Sequence, residues 1–228
     1  PSPLDVVEAL IADAPLLASH GLVTLTEALV GLACGVAAGF GLAVLMDRFA
    51  LVKAALNPLV TLSQTIPTVA IAPLLVLWLG YGMLPKVLLV ALTTFFPITV
   101  ALAEGFASVD PDAIDLMRTM GANRWQIFRY VKIPAAAGSF FSGLRISATY
   151  AVVGAVVAEW LGGFDGLGVY MTRVRKSYSY DQMFAVILII SALSLALMGL
   201  IGLIARIAMP WRAATKKSGE LSHLSQSK

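Results

Sequence analysis

No charged side chain occurs between Ala54 and Pro85. A stretch of that length without a charge belongs in lipid, because a membrane-crossing helix needs about 20 mostly apolar residues. Four more runs are mostly apolar: Leu22 to Met46, Val87 to Phe106, Ala136 to Leu161 and Gln182 to Ile207. Only 13% of the chain is charged, and its mean hydropathy is +0.87. Soluble domains carry about 25% charged residues. The fold expected is an all-α integral membrane protein with five transmembrane helices. Within the second run, from about Pro58 to Leu79, Pro67 and Pro73 predict a kink or an unwound turn.

Basic residues set the orientation. Arg48, Lys53, Arg118, Arg124, Arg129, Lys132, Arg206, Arg212, Lys216, Lys217 and Lys228 fall on one side of these spans. Lys86, Arg173, Arg175 and Lys176 fall on the other, and Arg145 lies inside a span. The richer side is read as cytoplasmic, which places the C-terminus inside and Pro1 outside. An additional upstream span, six in the full protein, is therefore expected. The scattered cations give no nucleic-acid footprint. Cys34, in an apolar run, reads as a small buried core residue.

Residues 1–20 read as an outer amphipathic segment, with Val6, Leu10 and Ile11 at helical spacing. Residues 21–212 form the transmembrane domain, and residues 213–228 a polar tail. Gly31, Gly35 and Gly39 have the G-x-x-x-G spacing of close helix packing, within one subunit or between two.

The hydrophilic insert from Asp110 to Pro134 stands apart. It carries seven charged side chains: Asp110, Asp112, Asp115, Arg118, Arg124, Arg129 and Lys132. Asp110 and Pro111 suit a helix start. That helix runs to about Met120, and Gly121 breaks it. Asn123 caps a second helix, Arg124 to Lys132, with Trp125 and Phe128 sharing a face. Pro134 marks the turn into the next span. A linker needs only a few residues, so the insert reads either as a plain connection or as a docking element.

The insert resembles the EAA loop of type I ABC importer permeases, taken here as residues 108–135. Asp115-Leu116-Met117 stands where that family has Glu-Ala-Ala. Gly121, Val131 and Ile133-Pro134 fall at its glycine, isoleucine and Leu-Pro positions. The departures are Asp for Glu and Leu-Met for Ala-Ala. The likeness extends through Ile66-Pro67, Ala72-Pro73-Leu74, Trp78 to Gly82, Phe96-Pro97, Ser108 to Pro111, Ala158 to Gly162 and Gly166-Leu167-Gly168. It is greatest to the sulfonate, taurine, nitrate and thiamine-precursor group, which Pro1-Ser2-Pro3 also resembles. Phe140 to Trp160 looks most like the thiamine-pyrimidine branch.

The resemblance implies a permease subunit paired with a second one, in a homodimer. Its expected partners are a cytoplasmic ABC ATPase dimer and an extracytoplasmic substrate-binding protein, and it sits in the bacterial inner membrane. The residues it points to for ATPase coupling are Asp115, Met117, Gly121, Ala122, Trp125, Phe128 and Pro134.

The chain has no G-x-x-x-x-G-K-[ST] loop to hold nucleotide phosphates. Gly163 to Gly168 reads as a turn. His20 and His223 are isolated, and no nucleophile–base pair can be assembled. The chain is expected to bind no cofactor and to do no catalysis, with ATP and Mg²⁺ held by the partner ATPase. Polar residues in spans are pathway candidates: Gln64 and Thr65 beside Pro67, Thr149, Tyr150 and Glu159. Helix-to-helix hydrogen bonding, snorkelling of Arg145 or an interfacial place for Glu159 explains the same residues. A self-contained channel or ion-coupled transporter would need more intramembrane charge, and a membrane scaffold would not need a kinked second span. Expected cargoes are a thiamine pyrimidine precursor or similar vitamin, then an aliphatic sulfonate, taurine or nitrate.

Overall fold

The computed structural model describes residues 1–63 and 67–210. Gln64 and Thr65 lie outside them, as does the polar tail. The described residues form helices α1 (Pro3–Ala12), α2 (Ala14–Arg48), α3 (Ala50–Ser63), α4 (Thr68–Leu79) and α5 (Met83–Ala107). Next come α6 (Pro111–Thr119), α7 (Arg124–Ile127), α8 (Ile133–Gly162), α9 (Leu167–Lys176) and α10 (Tyr180–Ala208). No strand occurs among the described residues.

Four helical stretches are long and apolar enough to cross a membrane: Ala14–Arg48, Met83–Ala107, Arg124–Gly162 and Tyr180–Ala208. The second apolar run is divided. Its first helix ends at Ser63, and α4 begins after Pro67, whose extended backbone (φ −67°, ψ 114°) is not helical. The break expected in this run therefore falls at Pro67, while α4 continues through Pro73. Proline at a helix start is harmless because the first N–H groups have no intrahelical acceptor.

Helix α8 is the hub. It packs against α5, α2, α10, α9 and α4. Lipid is as apolar as a leucine side chain, so close van der Waals fit rather than water exclusion must hold such a bundle together. The α2–α5 seam shows how the sequence provides it. A Cβ on Gly31 would collide with Val90, one on Gly35 with Thr94, and one on Gly39 would press on Phe95 O at 3.0 Å. The glycine stripe therefore packs within the subunit, the first of its two readings. Ala28 and Leu32 extend the same face into a core shared with Val90, Ile98, Ala148 and Ala151. Cys34 is exposed, not buried as expected, because the glycine face claims the packed side of α2.

Helix α1 forms as expected, with a reciprocal cap in which Ser2 Oγ accepts from Asp5 N (3.3 Å) and Ser2 N donates to Asp5 Oδ2 (2.6 Å). Val6 and Ala9 pack on Ala185 of α10. Ile11 does not share that face and is 72% exposed. Helix α9 was not foreseen. Leu167, Tyr170 and Val174 recur on its inner face and pack on Leu17 and Val186.

Candidate functional site: a polar segment between spans and a buried polar lock

The segment between α5 and α8 follows its local signals closely. Asp110 Oδ1 accepts the N–H of Asp112 at 2.9 Å, starting α6 at Pro111. The C-terminus of α6 closes with two bonds, Gly121 N to Arg118 O and Ala122 N to Met117 O, each 3.0 Å. That is the Schellman arrangement, and it requires a left-handed residue. Gly121 supplies it with φ +80°. Asn123 then begins α7, its side chain accepting from Gln126 N (2.9 Å) while Gln126 Oε1 accepts from Asn123 N (2.7 Å). The expected two-helix design is present, and Gln126 completes a capping box that only its spacing from Asn123 could have signalled.

The expected turn at Pro134 is absent. After Ile127 the chain passes through a single π-turn, Phe128–Lys132, in which Ile133 N donates to Phe128 O, and runs straight on into α8. Pro134 cannot donate to the carbonyl four residues back, and its ring crowds that carbonyl. Widening the turn by one residue relieves both problems. From Arg124 onward this segment and α8 are thus one continuous helical stretch, Arg124–Gly162.

The segment divides into an outer and an inner face. Leu116 (63%), Met120 (74%), Trp125 (67%) and Tyr130 (68%) are exposed. Ile127 is buried, and Phe128 packs against the main core with its ring 5.6 Å from that of Phe106. Trp125 and Phe128 do touch, with ring centroids 6.0 Å apart, but one points away from the bundle and the other braces it. Met117 and Pro134 are half-buried. Asp115 is exposed and pairs with Arg118 at 2.8 Å. A groove of about 720 Å³ lies between the segment and the end of α2, lined among others by Asp47, Arg118, Ala122, Trp125, Phe128 and Lys132. Lys132 bridges it to Asp47 at 2.6 Å. Asp47 gave no sequence signal, since its partner lies in another helix far along the chain.

A second constellation sits at the opposite end of the bundle. Glu159 on α8 is 1% exposed. Its Oε1 accepts from Thr24 Oγ1 (2.7 Å) and its Oε2 from Gly168 N (2.6 Å). Thr24 Oγ1 also accepts from Leu167 N (2.9 Å), and His20 Nδ1 accepts from Gly166 N (2.9 Å). The opening N–H groups of α9, which have no acceptor in their own helix, are thus taken by side chains of α2 and α8. The carboxylate also sits where the positive end of the α9 dipole favours it. His20, read from sequence as isolated, is a buried acceptor in this lock.

Beside it, Lys86 Nζ meets Glu27 Oε1 at 2.6 Å, both side chains 6% exposed. Lys86 is therefore a buried partner of α2 and not the loop cation it was counted as. Among the described residues Glu27 Oε2 is buried without a hydrogen-bond partner. Nearby, Asp13 accepts from Tyr170 Oη (2.6 Å) and Gln182 Nε2 (2.8 Å). Burial, followed by this bond to Asp13, pushes the Tyr170 phenol above its ordinary range.

Among the pathway candidates, Thr149 and Tyr150 lie exposed on α8, in a stripe with Ile146 and Val153 that no helix among the described residues covers. Glue of the lock keeps Glu159 away from that stripe, so the three are not brought together. No cluster of metal-ligating side chains occurs among the described residues.

Residues 31–208 match the profile of a family described as the binding-protein-dependent transport system inner membrane component. A probable ABC transporter permease of Haemophilus influenzae is 41% identical over 86% of this chain and 80% of its own length. The formylaminopyrimidine transport permease ThiX of Halalkalibacterium halodurans is 39% identical over 93% of this chain and 85% of its own. Among solved structures, a chain of the inward-facing MetNI methionine ABC transporter superposes with a TM-score of 0.75 at 19% identity, covering 84% of this chain and 95% of that one.

Proposed function

Because the chain belongs to the binding-protein-dependent transport inner membrane family, as a multi-pass ABC importer permease of the inner membrane, we propose that it carries a formylaminopyrimidine-like compound. The observation behind that cargo is the 39% identity to ThiX across nearly the whole chain. Membership of the family implies an ATPase and a binding protein as partners. In our reading two copies of this chain form the pore over an ATPase dimer, and ATP and Mg²⁺ are held there.

The segment from α6 to the π-turn is the coupling element, on the cytoplasmic side that the basic residues favour. Leu116, Met120 and Trp125 are the apolar contacts offered to the ATPase, and Asp115 with Arg118 is the polar rim. The Schellman turn at Gly121 fixes the angle between α6 and α7. Displacement of α7 passes directly into α8, since the two are continuous, and into α2 through Lys132 and Asp47. Binding energy spent on closing the ATPase thereby tilts the helices that flank the pathway. Thr149 and Tyr150, on the uncovered stripe of α8, are the pathway residues this scheme favours. Gln64 and Thr65 retain that role from the sequence, and Glu159 contributes by holding the outer end of α8.

The test is ATP-dependent uptake by vesicles holding this chain with its ATPase and binding protein. Formylaminopyrimidine should accumulate in preference to riboflavin, taurine, an aliphatic sulfonate or nitrate. Uptake of one of those instead would overturn the cargo, and uptake without the ATPase would overturn the importer scheme.

A further inference from the structure

Among the cations that the coupling scheme does not use, two lie on facing spans. Arg145 of α8 and Arg206 of α10 line a single groove of about 490 Å³. No carboxylate lines it. Among the described residues neither arginine has a hydrogen-bond or ion-pair partner. An arginine within a membrane span is costly unless its charge finds water or an anion.

The groove is built by omission. At Gly199 a Cβ would meet nothing within 4 Å, and at Gly202 it would stand 3.7 Å from Arg145 Nη2. Both glycines line the groove, so larger side chains at these positions would take up part of it. The remaining wall is Leu195, Met198 and Leu203, all exposed. Arg145 lies well along α8, yet its guanidinium lies beside Gly202, near the end of α10. It reaches along its own helix toward the surface on the coupling side, as a snorkelling arginine does. Arg206, in the last turn of α10, approaches from that surface.

Two unpaired guanidiniums over an apolar wall match one kind of occupant. Guanidinium forks bind phosphate oxygens well, and basic pockets between membrane helices on the cytoplasmic side accept anionic lipid headgroups. We propose that Arg145 and Arg206 hold the phosphate of an anionic phospholipid, with an acyl chain against Leu195, Met198 and Leu203. The lipid belongs to the leaflet on the coupling side, the cytoplasmic one in the orientation above. A soluble oxyanion would gain nothing from the apolar wall, whereas a lipid uses both.

The test needs neither cargo nor nucleotide, so it stands or falls apart from the transport reading. The full permease is purified in mild detergent and supplied with phosphatidylglycerol, cardiolipin or phosphatidylcholine, and bound lipid is counted by native mass spectrometry. The two anionic lipids should be retained and phosphatidylcholine should not. Arg145→Gln with Arg206→Gln should weaken retention roughly 30-fold, about 2 kcal/mol at 1.4 kcal/mol per decade. Gly202→Leu keeps both charges and fills the groove, so it should lose the lipid as well. A thermal melt confirms that each variant is folded. If the double variant fails to fold, each arginine variant alone should weaken retention about fivefold. Equal retention by wild type and variants would overturn the site. So would retention of phosphatidylcholine, or displacement of the lipid by inorganic phosphate at matching concentration.

Discussion

The two ends of the bundle use polar and apolar side chains in opposite ways. At the end that carries α6 and α7, apolar side chains such as Met120 and Trp125 face outward while charged pairs sit at or near the surface. At the other end, His20, Thr24, Glu27, Lys86 and Glu159 are buried. One end leaves apolar side chains exposed. The other consumes its hydrogen bonds inside the subunit and so fixes α2, α5, α8 and α9 together. A lever needs both, a free end that can be pushed and a closed end that does not yield.

Substitutions at the closed end should be costly to stability. Glu27→Ala leaves the Lys86 ammonium buried without its ion-pair partner, a loss of about 3–5 kcal/mol. Replacing both, Glu27→Leu with Lys86→Met, should recover most of it, because a buried pair is often no better than apolar residues of similar size. Thermal unfolding in detergent decides this, and a double variant as weak as the single one would mean the pair contributes more than charge balance. Gly166→Ala comes next. Its φ is +118°, and a Cβ there would collide with the Glu159 carboxylate, so a loss of about 2–3 kcal/mol is expected.

At the free end, stability and transport should separate. A Cβ on Gly121 meets nothing within 4 Å, and its φ of +80° is the sole obstacle. Gly121→Trp should therefore cost about 1–2 kcal/mol while abolishing ATP-dependent uptake. Uptake at the normal rate would remove Gly121 from the coupling role. The smallest stability effect should come from Asp115→Asn. An ion pair with side chains 66% and 67% exposed is worth under about 1 kcal/mol, so the melt should scarcely move. Slower uptake with an unchanged melt would place Asp115 at the ATPase contact, and a clear fall in the melt would break the contrast between the ends.

The sequence was most legible where structure is local. The caps at Asp110 and Asn123, the break at Gly121 and the glycine spacing of α2 are each decided within a few residues, and each formed as read. Pairings across the chain were not legible. Nothing in the periodicity around Glu27 announces Lys86, and nothing near Glu159 announces Thr24, His20 or the start of α9. Helix α9 was missed because Gly163 to Gly168 ends one apolar run, and the short, basic stretch after it resembles a loop. Cys34 was misplaced because an apolar run does not reveal which of its faces meets protein. At Pro134 the local signal was real but was absorbed by a π-turn, an outcome that depends on what lies on both sides.

That π-turn makes the joint between α7 and α8 a matter of angular phase. Each residue advances a helix by about 100°, and the turn at Phe128–Lys132 holds one residue more than an α-turn would. Deleting a single residue there would swing Trp125 a quarter-turn or more around the axis of α8 without shortening either helix appreciably. The docking face would then point along the bundle's flank, in a chain whose spans and buried lock were otherwise unaltered. The direction in which Trp125 points from the bundle is thus set by the count of residues between it and Pro134.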